Sequence, residues 1–226
     1  MAIKYVFVTG PPGSKWAGMS KWLSQSTSIV DSSDTSPWRI DNPGNHSNHA
    51  HAFFGPYHEC GERFDNLHLL TKEEIFAEID RAHLNADADN CIRFCRSHWF
   101  AYQLDWIKEN LPEIDILLVT RSPQICFDWW FEAGGWHIQY PTYKWYGTEE
   151  NMWRQINVEL RCIAEFSKKN NITWQKGINT ENWLTRNWPE MINYIKDPPY
   201  EIDELTVSAA LYKGKESVPL QQISSR

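Results

Sequence analysis

Three short segments of this chain carry the residue types that bind anions and move protons. The first is Gly10-Pro11-Pro12-Gly13-Ser14-Lys15-Trp16-Ala17, a glycine-rich loop ending in a lysine. The second is Arg96-Ser97-His98 and the third is Arg121-Ser122-Pro123. A glycine loop between a strand and a helix lets backbone N–H groups and the helix dipole hold a phosphate. The loop is not a Walker A sequence, which needs Gly-Lys-Ser/Thr, because Lys15 is followed by Trp16. A phosphate-bearing ligand is therefore expected, but not an ordinary ATPase or GTPase. A histidine at a strand end, beside such a loop and an arginine, has the chemistry of a general base facing an anionic donor.

These segments need elements that bring them to one place. Tyr5 to Val8 reads as a short buried strand, and a helix begins near Lys15 and continues through 16–24. Cys91 to Arg96 alternates and reads as a second strand, followed by a helix from about Phe100 to Asn110. Ile114 to Val119 is nearly all apolar, as a strand buried on both faces should be. Asp115 precedes that apolar run, so it is expected to start the strand and not to act as a Walker B carboxylate. Pro123 suits a helix start. Thr71-Lys-Glu-Glu74 is a capping box, with Ile75, Phe76, Ile79 and His83 on one helical face. Met152, Ile156, Leu160 and Ile163 mark a long helix to Lys169, and Ile172 to Gln175 suits a short edge strand. Thr180 and Pro189 suit two further helix starts, the second carrying Met191, Ile192 and Ile195 inward. Residues 31–68 and 133–147 read as long substrate-side loops, and 197–226 shows no strong period.

Strands alternating with helices argue for an α/β domain of three layers, a central parallel sheet flanked by helices. Ligands bind such sheets beyond the carboxyl ends of the strands. The segments after Val8, Phe94 and Val119 would then share one rim.

At 226 residues the chain suits a single domain, 1–226. Its net charge of −7 argues against generic nucleic-acid binding, which relies on Lys and Arg releasing counterions. Thirteen tryptophans exceed the needs of one core and suggest an aromatic-lined acceptor site. The cluster from Trp129 to Tyr146 either packs a helix or forms a lid or stacking surface. The five cysteines form no disulfide framework and are expected to be reduced. No apolar run is long enough for a signal peptide or membrane span, so a soluble cytoplasmic protein is expected. His46, His49, His51, His58 and Cys60 match no zinc spacing, so no metal is expected.

The ordered set of loop, Arg96-Ser97-His98, helix, apolar strand and Arg121-Ser122-Pro123 resembles the sulfotransferases that use 3′-phosphoadenosine 5′-phosphosulfate (PAPS). The similarity runs over about residues 4–184. It implies a P-loop NTPase-like sulfotransferase fold and sulfuryl transfer to a hydroxyl or amine of a small-molecule or carbohydrate acceptor. By that resemblance His98 is the catalytic base, with Lys15 at the leaving oxygen. The amides of Gly13, Ser14, Lys15, Trp16 and Ala17 take the 5′-phosphate, and Arg121 with Ser122 takes the 3′-phosphate. The family's usual serine eight residues after that arginine is Trp129 here. Its basic glycine segment is matched only by Tyr212-Lys213-Gly214-Lys215. The rival readings are a P-loop kinase of a small metabolite and a catalytically silent nucleotide-binding protein of the same fold.

Overall fold

The computed structural model describes residues 3–31, 52–53, 61–83, 90–132, 148–176, 180–189, 194–196 and 206–217. Its sheet has the strand order β2-β3-β1-β4-β6-β5. The strands are β1 Lys4–Thr9, β2 Ala52–Phe53, β3 Ile92–Arg96, β4 Asp115–Thr120, β5 Gln175–Lys176 and β6 Ser208–Tyr212. The helices are α1 Trp16–Ser26, α2 Lys72–Arg81, α3 Phe100–Asn110, α4 Pro123–Glu132, α5 Glu149–Lys169 and α6 Thr180–Asn187.

Side chains alternate across the sheet, and each face buries its own set. Phe7, Cys95, Ile116 and Leu118 pack with Ile75 and Ile79 of α2, Phe100 and Leu104 of α3, and Ile163 and Phe166 of α5. Val6, Val8, Phe94, Leu117 and Val119 pack on the other face with Trp16, Met19 and Trp22 of α1 and Trp183 and Leu184 of α6. Each such fully buried aliphatic or aromatic side chain contributes roughly 1.5–3 kcal/mol. A smaller cluster of Cys126, Trp130, Met152 and Ile156 joins α4 to α5. The expected three layers are present.

The expectation of a central parallel sheet holds for four strands and needs correction at one edge. β1 pairs in parallel with β3 and β4, and β2 with β3, but β6 lies antiparallel between β4 and β5. β6 also falls in the stretch 197–226 that shows no period. Ser-Ala-Ala-Leu-Tyr has little of the β-branched character that marks a strand, and pairing with β4 makes it one. Residues 31–68 are not loop throughout: β2 and a 3-10 helix, Gly61–Leu69, lie within them, and Phe64 and Leu67 are core residues.

β3 is buried along its whole length, including the positions that alternate as polar. Arg93 is tolerated there because its Nε donates to Asp31 at 3.0 Å and its terminal nitrogen to Asp80 at 2.7 Å. The capping box of α2 is formed: Glu74 N donates to Thr71 Oγ1, and Thr71 N to Glu74 Oε2. Ile75 and Ile79 are buried and Phe76 is half-buried. His83 is buried just beyond the helix, its Nδ1 on the Ile79 carbonyl at 2.9 Å. α5 starts at Thr148, whose hydroxyl accepts from Asn151 N, with Glu149 and Glu150 in its first turn and Lys168 and Lys169 in its last. The edge strand read at Ile172–Gln175 is formed by Gln175–Lys176. Thr180 stands as the first residue of α6. The inward positions Met191 and Ile192 lie outside the described residues, while Ile195 bridges Thr27.

Asp115 is a strand-start residue, as its place before the apolar run suggests. It is fully buried at the amino end of β4 and accepts from Lys4, from Trp188 Nε1 at 3.0 Å and from Gly214 N at 3.0 Å. Among the described residues no helix is long and apolar enough to cross a membrane. Among the described residues Cys91, Cys95, Cys126 and Cys162 form no disulfide, and Cys60 lies outside them.

Candidate active site

The parallel pairing of β3, β1 and β4 brings the three loops at their carboxyl ends side by side. Gly10 follows β1 so closely against β4 that a Cβ there would sit 2.4 Å from the Val119 carbonyl oxygen. The turn closes with Ser14 N donating to the Pro11 carbonyl at 3.0 Å. Gly13 has a positive φ of 76°, and a Cβ on it would lie 1.8 Å from the carbonyl oxygen of Cys126 in α4. No side chain fits at 13, because the backbone of the loop lies directly against α4.

The cation comes two residues later. Lys15 is the N-cap of α1 in the left-handed conformation, φ 64° and ψ 19°. It gives the helix no side-chain cap, and the first turn holds no acidic residue. The first turn of α1 thus presents backbone N–H groups toward the loop with no side-chain cap from Lys15 and no acidic neighbour. Ser14 is fully buried, and its hydroxyl has no hydrogen-bond partner among the described residues. A buried hydroxyl without a partner, a helix N-terminus and a lysine fit the oxygens of a phosphate.

His98 stands across the loop. Its Nδ1 lies 2.7 Å from the Gly10 carbonyl oxygen. A carbonyl can only accept, so Nδ1 carries the proton and Nε2 keeps the lone pair. The imidazole packs against the Trp16 indole, centroids 4.3 Å apart, and is mostly buried. The guanidinium of Arg96, itself fully buried, lies 5.4 Å from the same indole. Trp16 is thus a pillar between the two, its indole packed on the His98 ring and beside the Arg96 guanidinium.

Arg121 directly follows β4 and is 4% exposed. Its guanidinium carbon lies 5.2 Å from the Trp129 ring and Lys15 Nζ lies 4.8 Å from the same ring. Trp129 thus collects the two cations on one indole, at the position where the resembled family has serine. The remainder of the aromatic cluster, 133–147, lies outside the described residues, as do His46, His49, His51, His58 and Cys60. Ser122 caps α4, its hydroxyl accepting from Ile125 N at 3.3 Å. Its place at the rim is explained by that helix start.

One sequence comparison fails on position. Tyr212 pairs with Ile116 near the beginning of β4, and Gly214 is bonded to Asp115. Lys213-Gly214-Lys215 therefore stands at the amino end of the parallel strands, opposite the rim with His98 and Lys15, and does not join the site.

The sequence reading missed Glu159, Gln155 and Tyr102. Glu159 lies on the buried face of α5, fully enclosed, with Oε2 3.7 Å from His98 Nδ1. Gln155 Nε2 donates to Glu159 Oε1, and the Tyr102 hydroxyl reaches both residues. Burial pushes the Glu159 carboxyl above its usual range, while the His98, Gln155 and Tyr102 contacts pull it back. Burial likewise raises the Tyr102 hydroxyl and pushes the Cys126 thiol up to about 12, so Cys126 is no nucleophile. A signal for Glu159 was present: with Met152, Ile156 and Ile163 it occupies the apolar stripe of the helix, where a carboxylate is out of place. Comparison of the chain with protein-family models, with curated proteins and with solved structures finds no match in any of the three.

Proposed function

We propose that this chain is a sulfotransferase that moves a sulfuryl group from PAPS to a hydroxyl or amine of a small-molecule or carbohydrate acceptor. The observation that carries this reading is the bond from His98 Nδ1 to the Gly10 carbonyl. It fastens the ring that carries the basic Nε2 to the loop itself, so base and proposed donor site keep one fixed relation. The donor supplies a sulfuryl group already joined to a phosphate leaving group. His98 Nε2 takes the acceptor's proton while the acceptor heteroatom bonds to sulfur and the bond from sulfur to the 5′-phosphate oxygen breaks. Lys15, the Ser14 hydroxyl and the first amides of α1 hold the charge that gathers on that phosphate. Arg121, held beside Lys15 by Trp129, serves the second phosphate.

A P-loop kinase would need a metal-binding hydroxyl directly after Lys15. Trp16 occupies that place, with its ring packed on His98. Nothing in the site favours that reading over sulfuryl transfer.

Calorimetric titration with 3′-phosphoadenosine 5′-phosphate tests the donor, and the folded protein should bind it. His98→Ala should then lower turnover by about 10²–10⁴-fold while the nucleotide affinity is kept. Absence of binding by folded protein would remove the donor, and activity surviving in His98→Ala would remove the base.

A further inference from the structure

A buried carboxylate is costly, and Glu159 has no obvious structural return for it. It is fully enclosed on α5, and Oε2 accepts no hydrogen bond among the described residues. The atom points toward the one ring that the proposed reaction must charge, with His98 Nδ1 3.7 Å away. That distance is too long for a hydrogen bond but short for two charges in a dry site. Nδ1 already gives its proton to the Gly10 carbonyl, which sets the plane of the ring. The carbonyl therefore orients the imidazole, and a second group is left to balance its charge.

We infer that Glu159 is a positioning residue that provides the counter-charge for His98. When Nε2 accepts the acceptor's proton, the imidazolium forms beside Glu159, and the ring's charge favours the ionised carboxyl that burial alone disfavours. Gln155 donates to the same carboxylate and keeps it aimed, with the Tyr102 hydroxyl close by. The groups around it are His98 from the turn after β3, Tyr102 from α3, Gln155 and Cys162 from α5, and Cys126 from α4. A counter-charge makes the ring hold a proton to higher pH. The rise of kcat with pH therefore lies higher with Glu159 than without it.

The chemical step rests on the sulfotransferase reading, whereas the pairing does not, and the experiment separates them. In Glu159→Gln, kcat should fall roughly tenfold and its rise with pH should move about one unit toward acid. The acceptor KM should stay near that of the natural protein, and Glu159→Asp should recover part of the rate. In the free protein, the Nδ1 proton signal of His98 should shift in Glu159→Gln. It should shift less in Tyr102→Phe, which removes one donor from a ring that is already partly exposed. Loss of stability without a moved pH profile would make Glu159 merely structural and overturn the inference. An unmoved Nδ1 signal in both variants would overturn it even if no donor proved to bind.

Discussion

Lys15 is the residue at which the proposed binding and stability pull in opposite directions. Its left-handed backbone suits glycine, and holding a lysine there costs about 1 kcal/mol. The strain is tolerated where the side chain has work to do, and its Nζ stands by Trp129 with Arg121 on the same indole. Two substitutions separate the effects. Lys15→Gly relieves the backbone and should raise the unfolding free energy by about 1 kcal/mol while losing nucleotide affinity. Lys15→Met removes the charge and keeps the strain, so affinity should fall with no gain in stability. Urea unfolding with calorimetric titration of 3′-phosphoadenosine 5′-phosphate reads both. If Lys15→Gly keeps full affinity, the ammonium group does not hold the phosphate.

At the scale of elements, the loop depends on α4 as much as on β1 and α1. Gly13 lies against the Cys126 carbonyl with no room for a Cβ, at a φ that disfavours any side chain. Gly13→Ala must push the loop off α4, and a loss of roughly 1–3 kcal/mol is expected, with weaker nucleotide binding. Unchanged thermal unfolding of that variant would show that the two elements do not need this contact. The elements themselves were legible to unequal degrees. β1 and β4 declare themselves because strands buried on both faces are continuous apolar runs, and α2 declares its start through Thr71 and Glu74. β2 has two residues and β6 has alanines at its centre, so both owe their form to their partners. The site divides in the same way. His98, Lys15 and Arg121 could be placed on one rim from strand order alone. The approach of Glu159 to His98 joins positions far apart in the chain, and the gathering of Lys15 and Arg121 on Trp129 depends on how α4 lies over the loop.

Taken whole, the sheet divides the molecule into two ends with different tasks. The carboxyl ends of β3, β1 and β4 carry His98, the loop from Gly10 to Lys15, and Arg121. The amino end carries a buried clasp in which Asp115 binds Lys4, Trp188 and Gly214, and Lys4 also donates to Ser217. The clasp ties the first strand, the segment after α6 and the turn after β6 together, so it should govern stability and leave binding alone. Asp115→Asn leaves the Lys4 ammonium buried without its counter-charge, and about 3 kcal/mol of stability should be lost. Nucleotide affinity measured well below the unfolding transition should stay unchanged. Lys213→Ala and Lys215→Ala flank Gly214 at the same end and should also leave that affinity unchanged. Sulfotransferases of the kind this sequence resembles use a basic glycine segment on the nucleotide, so the same two variants discriminate sharply. If either weakens binding of 3′-phosphoadenosine 5′-phosphate several-fold, the nucleotide reaches the amino end of the sheet, and the rim around His98 is not where it binds.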